Sequence, residues 1–206
     1  CFSVCMHSNQ KLVAIALACA GFALFAVMSA IAKHLGEHFS TPQIIFFRSL
    51  FALLPLVLVL YGTRIVSLLR VRRPGLMLLR ALTGLLAMVF FFAGVTVLPL
   101  AEVVALAFAA PIISTLLGTL FLGEKVGVHR WSAVFIGLVG VLVIVRPGTE
   151  LFTFWSILPL ASAVFYSLGV IIVRTLSKTE SAAGIVFYFS VISLTASGAL
   201  MPVYWD

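Results

Sequence analysis

Arg48 is the residue whose chemistry most needs a reason. It sits inside the apolar run QIIFFRSLFALLPLVLVLY, after Pro42. Six residues of helix put it roughly 9 Å along the axis. A cation that deep in hydrocarbon costs about 2.5–3.5 kcal/mol on insertion scales, so it needs a partner or a wet cavity. One reading makes Arg48 an electrostatic anchor for an anionic or zwitterionic solute. The other makes it a fixed ion pair with Glu102, which enters a later apolar run from the same side. The pair is the expectation, because intramembrane charges generally find protein partners.

Aromatic rings are the next candidates: Phe25, the Phe90-Phe91-Phe92 run, and Phe165-Tyr166. A ring beside a cavity can stack on a planar or cationic solute, although 18 phenylalanines make core or lipid contact the default. Tyr166 adds a polar tip to its ring and is preferred for that reason. Pro111 lacks an N–H and should loosen its helix near the middle. A carbonyl freed there can line a pathway, with Ser114 and Thr115 as local hydrogen-bond partners, while a static kink that improves packing is an equal alternative.

Other chemistries find little support. The sequence holds no HExxH, GxSxG or Walker A pattern, so no catalytic residue is expected. His7, His34, His38 and His129 all lie outside the apolar runs, and His34 and His38 lack a third ligand. Cys1, Cys5 and Cys19 form no CxxC pair, so neither a metal site nor a disulfide framework is expected, and no cofactor. Glu102 and Glu124 stand at the ends of apolar runs, which argues against a carboxylate proton relay inside the membrane.

These residues are carried by a chain that is 63% hydrophobic and 9% charged, with a mean hydropathy of +1.26. A soluble domain carries about 25% charged residues. The expected class is therefore all-α, a polytopic helical membrane protein whose surroundings are the lipid bilayer. The net charge of +7 does not suggest nucleic acid, because the basic residues sit in short turns between apolar runs.

The hydropathy pattern predicts about seven spans: Leu12–Ala32, Gln43–Tyr61, Leu76–Leu98, Val103–Leu122, Trp131–Val145, Phe154–Val173 and Gly184–Val203. Residues 1–10 are expected to form an irregular cytoplasmic tail, with Met6 a candidate start. Pro55 is expected to kink the second span. Ala101, Ala105 and Ala109, with Ala133 and Gly137 and with Gly118 and Gly140 nearby, predict a close-packed hairpin of spans four and five. With the amino terminus inside, ten basic residues fall on the inner side: Lys11, Arg64, Arg70, Arg72, Arg73, Arg80, Lys125, Arg130, Arg174 and Lys178. Lys33 and Arg146 fall outside, a strong positive-inside bias.

The hairpin also carries a likeness. Pro111 within an apolar helix, Leu122 and Glu124, the glycine-rich run with Gly137 and Gly140, and the closing Arg146-Pro147 resemble the EamA-type repeat of the drug/metabolite transporter superfamily. The likeness covers residues 11–147 as one five-helix repeat. ALFAVMSAIAKHL from Ala23 is similar to AVFYSLGVIIVRTL from Ala163, so residues 154–206 read as the first two helices of a second, inverted repeat. The counterpart of Arg48 there is apolar or aromatic, near Tyr188 and Phe189, so a site would be asymmetric. The resemblance implies ten helices in all, with three more expected after Asp206. It also implies a multi-pass transporter of the inner membrane that moves a small-molecule metabolite by alternating access, with a homodimer left open. A scaffold or assembly subunit that kept the fold without transporting is the rival reading.

Overall fold

Apolar runs of this length become helices because a backbone without water must satisfy its own N–H and C=O groups. The computed structural model describes residues 2–36, 38–61, 71–123, 127–145 and 154–204. All its regular elements there are helical: α1 (Phe2–Leu35), α2 (Thr41–Tyr61), α3 (Pro74–Val97), α4 (Leu100–Ala107), α5 (Ala109–Leu122), α6 (Val128–Val145), a single 3₁₀ turn (Phe154–Ser156), α7 (Ile157–Leu176) and α8 (Ala182–Tyr204). Pro74–Val97, Leu100–Phe121, Phe154–Leu176 and Ala182–Pro202 are each long and apolar enough to cross a membrane. The protein is an all-α polytopic membrane protein.

Two boundaries differ from expectation. Residues 2–10 extend α1 backwards instead of forming an irregular tail. No glycine or proline stands between Phe2 and Ala20 to interrupt the helix. The fourth apolar run is split into α4 and α5 at Phe108, which adopts φ −66° and ψ −5°. The break lies three residues ahead of Pro111, because the proline cannot donate to the carbonyl of Ala107 and crowds the preceding turn. By contrast, α2 remains one helix through Pro55. The turns that hold Arg64, Arg70, Glu124, Lys125 and Arg146 lie outside the described residues.

Helix α3 is the centre of the fold. It packs most extensively on α7 and also meets α1, α2, α4 and α8, while the main partner of α2 is α8. Ile44, Ile45, Met88, Phe91, Phe92, Val95, Leu98 and Val103 form the larger buried cluster, and Met77, Leu176 and Ile185 form a smaller one at the opposite end of α3. Lipid chains are as apolar as these side chains, so close contact and interhelical hydrogen bonds hold the helices together. Ser162 Oγ donates to the Ala87 carbonyl at 2.8 Å, joining α7 to α3. Ser167 Oγ donates to the Ala110 carbonyl at 2.9 Å, tying α7 to the broken span.

The predicted small-residue seam is packed unevenly: Gly118 is buried, and α6 meets both α4 and α5. A Cβ at Gly137 or Gly140 would meet nothing within 4 Å, and Ala101 is exposed. Of the predicted alanines, Ala105 is buried. Close approaches centre on α3, where a Cβ at Gly36 would stand 2.8 Å from Thr96 Cγ2 and one at Gly94 would stand 3.3 Å from Pro159 Cδ of α7.

Three polar contacts fix the helix directions. Lys33 Nζ, at the end of α1, donates to the carbonyls of Val95 (2.7 Å) and Leu98 (3.0 Å) at the end of α3. Glu102, at the start of α4, accepts from Ser156 Oγ at the start of α7. At the other end, Glu180 after α7 accepts from the N–H groups of Arg72 and Arg73 before α3, at 2.7 and 2.9 Å. Thus α7 begins on the side where α1 ends, and the two run in opposite directions.

Candidate functional site

Helix α2 carries Arg48 about 10 Å in from Thr41, at 1.5 Å per residue, and its guanidinium turns towards α3. Its Nε donates to Met28 Sδ at 3.2 Å, its Nη1 donates to Met88 Sδ, and its Cζ lies 5.9 Å from the centre of the Phe92 ring. Thioether sulfur is a weak acceptor and a ring face carries only partial charge. Arg48 is therefore held in place without being neutralised.

Arg48 and Glu102, expected as an ion pair, are not brought together. Glu102 is buried and uses its Oε1 on Ser156 at 2.9 Å. That contact spans 54 residues of sequence. Nothing in the sequence pattern around either residue points to it, and among the described residues no carboxylate pairs with Arg48.

The other candidates are placed as follows. Phe25 is partly exposed on α1 and leans on Phe91, with ring centres 5.7 Å apart. Phe90 stacks on Phe165 of α7 at 5.6 Å and 8°, so each covers a face of the other. Ser114 and Thr115 both donate to the carbonyl of Pro111 itself, at 3.0 and 2.8 Å. They do not reach the carbonyl of Ala107 that the proline leaves free. Pro111 is exposed. Tyr166 is exposed on α7.

Arg80 is the residue that pattern reading missed. Its nearness to the basic turn before α3 places it among the interfacial charges. Its guanidinium instead lies against Gly84, one turn deeper in α3, with its Cζ 4.9 Å from the centre of the Phe189 ring of α8. Its Nε is buried and has no hydrogen-bond partner among the described residues. The available signal was the spacing Arg80, Gly84, Met88, which places all three along one side of the helix. Arg48, through Met88 and Phe92, and Arg80, through Gly84, thus address successive turns of α3. Among the described residues no group of three histidine, cysteine or acidic side chains could hold a metal ion.

Comparison with known proteins gives one consistent picture. The model of the EamA-like transporter family matches residues 12–146. A pseudopaline exporter of Pseudomonas aeruginosa is 30% identical over 183 residues, covering 88% of this chain and 63% of the exporter. An S-adenosylmethionine uptake transporter of Rickettsia prowazekii is 28% identical over 87% of this chain and 61% of its own length. A riboflavin transporter of Vibrio cholerae is 28% identical over 80% of this chain and 56% of its own length. The chain thus spans less than two thirds of the length of these relatives. No solved structure gives a significant match.

Proposed function

The chain belongs to the EamA-like transporter family, and we propose that it serves a secondary transporter that moves a small organic metabolite across the inner membrane, with Arg48 as an electrostatic anchor for the solute. The observation that carries this reading is the set of groups around Arg48: two thioethers and a ring face, with no carboxylate among the described residues. A guanidinium desolvated in that way keeps most of its capacity to bind an anionic or zwitterionic group, and a cation within a span is a functional candidate by default. The named relatives move pseudopaline, S-adenosylmethionine and riboflavin, which supports a small organic solute without choosing one.

Alternating access is supported by the opposite directions of α1 and α7, the arrangement from which inverted-repeat transporters are built. The amino terminus is assigned to the cytoplasm. With Arg80 turned inward and set aside, nine basic residues still stand on that side against Lys33 and Arg146 on the other. Tyr166, Phe25, Phe90 and the break at Pro111 are secondary pathway candidates.

The test is movement of labelled organic anions and zwitterions in vesicles that carry the protein. A saturable flux that falls at least tenfold in Arg48→Met and is also impaired in Arg48→Lys supports the anchor, because an ammonium cannot reproduce a forked contact. Wild-type solute affinity in Arg48→Met would remove the anchor. A correctly inserted protein that moves nothing in the panel would favour the non-transporting scaffold.

A further inference from the structure

Arg80 does the opposite of what a cation near a span end does by default. A helical side chain leans towards the amino-terminal end of its own helix. For Arg80 that end is the nearby membrane surface, where a long basic side chain would snorkel to water. Its guanidinium lies instead beside Gly84, deeper in the span.

The niche around it is shaped by three helices. A Cβ at Gly84 would run into Arg80 Nη1 and would stand 2.6 Å from the Phe189 ring. A Cβ at Gly169 of α7 would stand 3.4 Å from Thr83 Oγ1 and 3.6 Å from Arg80 Nη1. The two glycines therefore leave the room that the guanidinium occupies. Phe189 covers it, with the Arg80 Cζ 4.9 Å from the ring centre. Thr83 is already committed, since its Oγ1 donates to the carbonyls of Leu79 and Arg80. Among the described residues no acceptor meets the Arg80 guanidinium, and its buried Nε is unpaired.

We infer that this niche between α3, α7 and α8 is a second anion station, at which Arg80 receives a carboxylate of the transported solute. One guanidinium balances one negative charge, which suits a carboxylate and leaves a doubly charged phosphate uncompensated. A guanidinium that meets no acceptor among the described residues keeps the forked donors that a carboxylate accepts, with Phe189 the side chain that must give way to admit it. A phosphodiester lipid headgroup carries the same charge, but the guanidinium is turned away from the surface where headgroups lie. The inference rests on the transporter reading, and it adds to Arg48 a station towards the other end of α3.

The probe is benzoate, with benzamide as its uncharged near-isostere, added at matched ionic strength to the purified protein in detergent. The readout is thermal unfolding, because a ligand that binds only the folded state raises the midpoint. Arg48→Met is the background, so that the first station is silent. Benzoate should raise the midpoint of that variant by about 2–4 °C, benzamide should not, and the response should vanish on adding Arg80→Met. Gly84→Ala keeps the charge but crowds the guanidinium, and should weaken the benzoate response at least tenfold in half-maximal concentration.

Without ligand, Arg80→Met should unfold no lower than its parent, since it removes a half-buried cation whose Nε has no hydrogen-bond partner among the described residues. A benzoate response that survives Arg80→Met, or none in the Arg48→Met background, overturns the station. So does stabilisation by phosphatidylglycerol in place of benzoate, or a marked loss of ligand-free stability in Arg80→Met. The Arg48 anchor fails separately, if Arg48→Met leaves both benzoate affinity and solute flux unchanged.

Discussion

A guanidinium held by two thioethers and a ring has its geometry fixed and its charge largely uncompensated, and this sets the expectations at the residue scale. If Arg48 and Glu102 do not touch, their removal should be additive. A double-mutant cycle with Arg48→Met and Glu102→Gln should give a coupling below about 0.5 kcal/mol. A coupling of several kcal/mol would restore the ion pair. Glu102 should instead couple to Ser156, its partner at 2.9 Å. Ser156→Ala leaves a buried carboxylate short of a donor and should lower unfolding stability by about 1–3 kcal/mol. The positions of Arg48 and Glu102 are plain from sequence, because a charge within or beside an apolar run stands out. Their partners are not, because Met28, Met88 and Ser156 carry no charge to attract notice and lie 20, 40 and 54 residues away.

At the scale of elements, the α3–α7 contact and the corner held by Lys33 can each be tested. Gly94 lies against Pro159, so Gly94→Leu should overpack the seam and cost about 1–3 kcal/mol. Gly137→Leu, on a helix face open for at least 4 Å, should change stability by less than about 0.5 kcal/mol. Unfolding in detergent would compare the two, and equal sensitivity would contradict the packing described. Lys33 sits where the last carbonyls of α3 lack intrahelical donors, a place that favours a cation. Lys33→Met should therefore loosen α1 from α3, seen as faster backbone amide exchange at the end of α3, while Lys33→Arg should retain most of the protection. The broken fourth span was half legible. Pro111 predicted a disturbance, but the break fell at Phe108, since a proline acts on the turn that precedes it.

For the whole molecule, the proposed orientation, argued from the distribution of basic residues, can be tested directly. A cysteine placed at Lys178, beside the turn that holds Glu180, should resist an impermeant thiol reagent in intact cells. One placed at His38, in the α1–α2 turn, should react. Labelling at Lys178 with protection at His38 would invert the topology and exchange the sides assigned to Arg48 and Arg80. Both sites lie in turns, at residues that are exposed in the structure.

The class of this protein, the approximate places of most of its apolar helices among the described residues and its likeness to EamA-type repeats were all legible along the chain. Each is a local property: some twenty consecutive residues decide whether a segment can span lipid, and the hairpin motif is read in order along the chain. The packing of the helices sets what the charges meet. It made α3 the hub, where the sequence singles out the hairpin of spans four and five, and it left Gly137 and Gly140 facing open space. It gave Glu102 to Ser156, left Arg48 among sulfurs and a ring, and turned Arg80 inward to Phe189. The reason is physical. Hydropathy fixes that a helix crosses the membrane, but the facing of each helix depends on packing against neighbours distant in sequence, and a side chain's partner follows from that rotation.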